Sequence, residues 1–425
     1  SDFDFVVDVR EEGEFDIKVE PSYFSVKNNR WDIRNTGELV YKEKHFEIKN
    51  LLLERDSQFL AVNGMLSENP EDYLTIKANE LHVEEFSSLL NAGVKMEGSL
   101  NGTARLATPF TDIKVDGDFL LKDFYLEGQE VGDVHVNGIW IDLEQKIILN
   151  GDLKYRDLQT FDFNGYILPM KKEDNINFDL EFKDMNLSFA NAFLDPEVIS
   201  DITGTIKGVI HATGSIDEPD ISGDLQLKKG GLKVGILGTH YSMSGPLKFD
   251  GENDGIYGAF PVMDDEGNTA YALANIFHNN FKDFSLSFEV NFDESVSGFR
   301  DPVSKRPLPP TKRFMVLNTG YKEGTVYYGK AYATGSASIL IEQGNTTIDV
   351  SAKTEDRTEV ILPMYGAKEI GEFDFIDFNT DTAVVEKKID LTGVNLNLDI
   401  TATQDADIRL ILNDQTGEEI KANGN

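Results

Sequence analysis

Apolar and polar residues alternate with a period of two along most of this chain. Phe284, Leu286, Phe288, Val290 and Phe292 are separated by Ser, Ser, Glu and Asn, and Val394, Leu396, Leu398 and Ile400 by Asn395, Asn397 and Asp399. Ile176, Phe178, Leu180 and Phe182 follow the same rule, as do Phe3, Phe5, Val7 and Val9. Successive strand side chains point to opposite faces, so each stretch predicts a strand with one apolar and one wet face. One-sided alternation predicts antiparallel sheet covered on one side. Helical spacing is limited to Val83, Phe86, Leu89 and Leu90, and to Phe189, Phe193 and Leu194. Pieces so short need to pack onto the sheet to persist. They predict small caps on an all-β fold.

A block of the pattern occurs twice. Gly98, Gly102 and Gly117 recur 106 residues on as Gly204, Gly208 and Gly223. The ungapped offset extends upstream from Leu74, Ile76 and Leu81 to Leu180, Phe182 and Leu187, and downstream from Gly132 to Gly238. A fixed period of this size predicts supersecondary units stacked on their neighbours, with the two copies as equivalent rungs. Gly102 and Gly117 share phase with Leu100, Leu106, Phe119 and Leu121, and their counterparts with Ile206, Ile210, Leu225 and Leu227. Glycine on an apolar face marks a bend or a close backbone approach. Residues 300–313 break the rhythm with four prolines and a basic cluster, which predicts a loop.

Charge narrows the choice of partner. Forty Lys and Arg stand against 75 Asp and Glu, a formal charge of −35, which disfavours nucleic acid and anionic lipid headgroups. Hydrophobic residues at 40% are enough for a sizeable core. Cysteine is absent, which rules out disulfides and thiol chemistry and suits either an oxidising or a reducing compartment. The opening SDFDFVVDV lies already inside an alternating pattern and points to a piece of a longer protein.

No catalytic constellation emerges. The six histidines are scattered, and no nucleophile elbow, P-loop or dinucleotide fingerprint occurs. The acidic turns at 250–254 and 264–268 do not match a calcium loop and predict polar connections between strands. Neither enzyme activity, nor a cofactor, nor a metal is expected.

The units running from Gly98-Ser-Leu-Asn-Gly102 to Gly117-Asp-Phe119, and from Gly204-Thr-Ile-Lys-Gly208 to Gly223-Asp-Leu225, resemble the repeats of the TamB family, in the AsmA-like group. The stretches 314–339 and 393–425 look like the family's C-terminal domain. The resemblance implies an elongated antiparallel sheet rolled into a U-shaped hydrophobic trough. It also implies a place in the periplasm of a diderm bacterium, anchored to the inner membrane through an N-terminal segment that this sequence lacks. The implied partners are phospholipid or another acyl-chain lipid, and an outer-membrane barrel protein engaged through a C-terminal segment also absent here. The implied function is lipid carriage between membranes in support of outer-membrane biogenesis, or else a scaffold for barrel assembly.

Three trough repeats are expected at 1–95, 96–201 and 202–299, then the loop at 300–313 and a C-terminal β region at 314–425. The groove lining is expected to comprise Leu100, Leu106, Phe119, Leu121, Phe178, Leu180, Ile206, Ile210, Leu225, Leu227, Phe284, Leu286, Phe288, Leu396 and Leu398. About 35 strands at ~4.8 Å spacing would make a ladder on the order of 170 Å. Closed sandwich domains, and with them a carbohydrate enzyme or an adhesin, satisfy the same alternation.

Overall fold

The structure, a computed structural model, describes residues 4–9, 14–86, 95–108, 114–194, 196, 199–279, 282–293, 313–322, 325, 327–342, 345–363, 394–413 and 418–423. The protein is all-β, with antiparallel pairing dominant and only short helical turns. Strands β1 (Phe5–Val9), β2 (Phe15–Val19), β3 (Ser22–Val26), β4 (Asn29–Ile33), β5 (Gly37–Lys42), β6 (His45–Arg55), β7 (Gln58–Leu66) and β8 (Tyr73–His82) lead to the one-turn helix α1 (Val83–Phe86). Strands β9 (Met96–Ala107), β10 (Lys114–Leu126), β11 (Gln129–Ile141), β12 (Lys146–Tyr155), β13 (Leu158–Ile167) and β14 (Ile176–Asn186) follow, then a 3-10 turn at Ser188–Phe193. Next come β15 (Ile199–Gly214), β16 (Pro219–Val234), β17 (Thr239–Asp250), β18 (Gly255–Asp264), β19 (Thr269–Asn279) and β20 (Lys282–Asn291). The last are β21 (Phe314–Thr319), β22 (Tyr328–Glu342), β23 (Asn345–Thr354), β24 (Glu359–Pro363), β25 (Val394–Thr401), β26 (Asp407–Asn413) and β27 (Glu418–Asn423). Among the described residues no helix is long and apolar enough to cross a membrane.

The chain divides into two compact units. The first is Ser1–Leu194 with Thr205–Leu225, and the second is Asp195–Gly204 with Gln226–Asn425. In the first, an antiparallel ladder runs β1-β2-β5-β6 and then strand by strand to β15. The β3–β4 hairpin leaves this ladder and, among the described residues, joins it where Asp32 and Ile33 meet Glu54 and Leu53 at the far end of β6.

The two copies of the repeat occupy matching places. Each follows a strand and a short helical turn, α1 before β9 and the 3-10 turn before β15. Phe119 lies opposite Gly102 on β9, and Leu225 packs against Gly208 on β15 in the same way. Their backbones are less alike. Gly98 and Gly204 both have left-handed φ values of 150° and 106°, but of the inner glycines only Gly208 and Gly223 do, at 147° and 146°. The downstream match fails: Gly132 sits inside β11, whereas Gly238 closes the turn before β17.

In the second unit, an antiparallel ladder runs β17-β18-β19-β20-β22-β23. β22 is long enough to change partners. Its Tyr328–Lys330 end pairs with β24, and its Gly329–Ala333 stretch pairs with β21. β25 and β26 join β23 and β24 in parallel, which alternation alone did not predict.

Candidate functional site

Strand register turns the alternation into rows of side chains that cross the ladder. In the first unit one row runs Leu51–Val62–Ile76–Ala104–Gly117–Gly138–Leu149–Gly165–Phe178–Ala212. Beside it runs Leu53–Leu60–Ala78–Gly102–Phe119–Val136–Gly151–Phe163–Leu180–Ile210. A third runs Leu81–Leu100–Leu121–Val134–Leu153–Phe161–Phe182–Gly208. None of the three contains a polar side chain. Directly opposed residues share a face, so these rows form one apolar surface.

The glycines in these rows have a packing role. A Cβ on Gly102 would collide with the Phe119 ring, one on Gly151 with Phe163, and one on Gly165 with Phe178. Each ring therefore lies flat across the neighbouring strand's bare backbone, an aromatic cover for a glycine that otherwise weakens a strand. Phe161, Phe163, Phe178 and Phe182 join into a patch with ring centroids 5.0 to 6.3 Å apart. Most of these side chains are only half-buried.

The opposite face is largely polar, with the Ile139–Ile148–Tyr166 row its apolar exception. One of its rows reads Asp118–Asn137–Asn150–Asn164–Asp179–His211. Here the scattered histidines find carboxylates: His135 lies 3.3 Å from Asp118 and 3.4 Å from Asp152, and His211 pairs with Asp179. Among the described residues no cluster of His, Asp and Glu is arranged to hold a metal ion.

One stretch of the apolar surface is covered. Trp31 of β4, 0% exposed, packs with Phe24 and Val26 of β3 and Phe86 of α1 onto Leu53, Leu60, Ala78, Leu81 and Leu100. Phe86 meets the indole edge-on, with centroids 5.5 Å apart. The indole Nε1 donates to Glu85 Oε2 at 3.0 Å, and Arg55 and Gln58 donate to Oε1 of the same carboxylate. Burial alone would push Glu85 up, but the hydrogen bonds from Trp31, Arg55 and Gln58 outweigh it and hold its pKa below the ordinary value. The predicted cap is thus seen at Val83 and Phe86, with the β3–β4 hairpin added to it, while Leu89 and Leu90 lie outside the described residues.

The second unit repeats the scheme with different parts. One apolar row runs Leu247–Gly258–Ala274–Phe288–Ile339–Ile348, and another Phe260–Ala272–Val290–Ala337–Val350–Leu398. At one margin β21 folds onto β17: Phe314 stacks on Tyr241 at 5.3 Å, and Tyr241 Oη donates to the Met315 carbonyl at 3.0 Å. Met315 and Tyr332 are among the most buried side chains of the protein.

The acidic turn at 264–268 secures this cover. Buried Asp264 accepts from the backbone N–H groups of Glu266, Asn268 and Met315 and from the Asn268 amide. Its oxygens are thereby committed to the fold. Glu266 Oε1 accepts from Lys330 Nζ at 2.8 Å and from Tyr332 Oη at 2.7 Å, and these two bonds draw its pKa down to about 2. Arg313, Lys330 and Arg357 surround the Tyr332 ring at 5.3 to 5.4 Å. A depressed carboxylate stabilises above its unfolded pKa and loses that contribution as pH falls through its folded value. Glu266→Gln is therefore expected to flatten the acid limb of the second unit's stability between about pH 4.5 and about pH 2, with a difference on the order of 1 kcal/mol because water reaches the pair. Chemical denaturation across that range, compared with wild type, measures it. Superimposable acid limbs would remove this role.

The expected lining residues are mostly where the alternation puts them. Leu100, Leu106, Phe119, Leu121, Phe178, Leu180 and Ile210 share the apolar face of the first unit, and Leu225 packs against Gly208 beside them. Ile206, opposite Met185 beyond a bulge, is buried, as is Leu227 in the second unit. Phe288 lies in the first of the second unit's rows, and Leu286 in the adjacent Ile276–Leu286–Ile341 row. Leu398 stands in its row on β25, opposite Val350, and is 55% exposed among the described residues. The side chains of Phe284 and Leu396, and residues 300–312, lie outside the described residues. Sequence reasoning missed Val134, Val136, Leu149, Leu153, Phe161 and Phe163, although Thr160–Ile167 alternates as clearly as the segments chosen. It also missed Trp31, whose partners are remote in sequence. Compared with known proteins, the chain matches no family model, no curated protein and no solved structure.

Proposed function

We propose that the apolar faces bind lipid acyl chains, and that the protein is a non-enzymatic lipid carrier, part of a bridge between the inner and outer membranes of a diderm bacterium. The observation that carries this reading is the three rows of the first unit, two crossing ten strands and one crossing eight, without one polar side chain. An acyl chain has no hydrogen-bonding groups and slides only where none need be desolvated. A closed core would bury such rows fully, whereas most of these side chains stay partly exposed, with Ala78, Leu81, Leu153, Ile210 and Ala212 the buried exceptions. The likeness of the glycine blocks to the TamB repeats supports the same reading and supplies the periplasmic setting. Solvent extraction of the purified chain followed by lipid mass spectrometry is expected to yield phospholipid. A lipid-free preparation that also takes up none from phospholipid vesicles would sink the proposal.

A scaffold for outer-membrane barrel assembly is the second reading. Among the described residues β1 pairs on one side only, with β2, and Phe5, Val6, Val7 and Val9 remain exposed, as a strand-accepting edge requires. Crosslinks from β1 to an unfolded barrel protein, without bound lipid, would favour it.

A further inference from the structure

We infer that the Trp31 hairpin is a constriction in the acyl path of the first unit, and that the two rows left beside it restrict passage to lipids with few chains. The inference rests on the acyl-binding reading above.

The geometry of the rows leads to it. On β10 to β14 four rows run side by side, the fourth passing through Val115, Trp140, Ile147, Ile167 and Ile176. Neighbouring rows are two residues apart along a strand, so four of them span about 20 Å. At β8 and β9 the plug sits on Ala78, Leu81 and Leu100, which belong to two of the four. Among the described residues only the Leu74–Leu106 and Ile76–Ala104 rows continue beside it, a strip about 7 Å wide in which Leu74 is buried against Ile48 and Leu66 while Ile76, Ala104 and Leu106 stay partly exposed. Beyond β8 the face broadens again by gaining the Leu66–Phe46–Tyr41–Phe15 row on its other margin. The path is thus wide, narrow and wide, with a sidestep at the narrow point.

The plug is built to stay in place. Its one polar atom at the core, the Trp31 indole nitrogen, is satisfied by a carboxylate that is itself anchored by Arg55 of β6. A two-chain lipid fits a two-row strip with its chains side by side. A four-chain lipid does not, without moving Trp31.

Photocrosslinking on the full chain tests this. A photoreactive phenylalanine analogue is placed singly at Phe163 in the wide region, at Ile76 in the strip, or at Leu60 beneath the plug. Each protein is incubated with vesicles containing labelled phosphatidylethanolamine or labelled cardiolipin. Both lipids are expected to label from Phe163 and neither from Leu60. From Ile76, cardiolipin should label about tenfold more weakly than phosphatidylethanolamine, the ratio that a difference of about 1.4 kcal/mol produces. Equal labelling by both lipids from Ile76, or lipid labelling from Leu60, would overturn the constriction. Silence at Phe163 with both lipids would overturn the acyl-binding reading and the constriction with it.

Discussion

Replacing Trp31 with alanine is expected to destabilise the first unit by about 4 kcal/mol. Two costs combine. The indole is the largest fully buried side chain among the described residues, and its removal opens a cavity between β8 and α1. It also takes a hydrogen bond from Glu85, a carboxylate only 4% exposed, and an orphaned buried acceptor carries its own penalty. For a unit of this size the loss corresponds to a fall of roughly 8–16 °C in its melting temperature. Trp31→Phe separates the two costs: it keeps most of the volume, loses the N–H, and should cost about 1–2 kcal/mol. Thermal melts of both variants decide it. A Trp31→Ala protein that melts with wild type would mean that the hairpin does not depend on the indole to hold it to the sheet.

Phe163→Asp is expected to cut acyl-chain binding by about tenfold while leaving the first unit folded, because a charge on an apolar row must be desolvated for a chain to lie across it. Phe163 is half-buried at the centre of its row, so the new carboxylate keeps water when no lipid is present. The neighbouring Asn164→Asp adds the same charge to the opposite face and should leave binding unchanged. Leu225→Asp provides the contrast. Leu225 is buried against Gly208, and the same change there should cost more than about 4 kcal/mol and collapse the fold. Lipid uptake from vesicles, measured beside circular dichroism, distinguishes the outcomes. Equal binding by the Phe163 and Asn164 variants would exclude the row as the acyl path.

Much of this was legible in the sequence because a strand face is a local property. The alternation at Ile176–Phe182 and Phe284–Phe292 specifies strands and a wet side without reference to anything distant. The glycines at 102, 117, 208 and 223 announced by their phase that they belong to the apolar side. What each one accommodates depends on register, which sets Phe119 across from Gly102 and not across from its neighbours. The plug was hidden for a related reason. Asn29–Ile33 alternates like any other strand, and nothing local says that its tryptophan will meet a carboxylate 54 residues later. Direction is equally silent: Val394–Thr401 alternates in the same way whether its pairing is parallel, as found, or antiparallel. The 55% exposure of Leu398 on β25 is likewise something that alternation does not encode.

The rings laid flat over neighbouring glycines have a consequence for cooperativity. Phe119 spends its packing on β9, Phe163 on β12 and Phe178 on β13, so each strand of the first unit is tied chiefly to the next. A layered domain shares its contacts among many elements and melts as one. A ladder bound this way behaves as a one-dimensional array, in which stability is a sum of strand terms and nearest-neighbour couplings. Opening then starts at an end and moves inward, and amide protection should grade along the ladder with the plugged strands β6 to β9 as its most persistent block. On the proposed acyl path, such local yielding would let one rung relax under a passing chain while the rungs on either side stay paired.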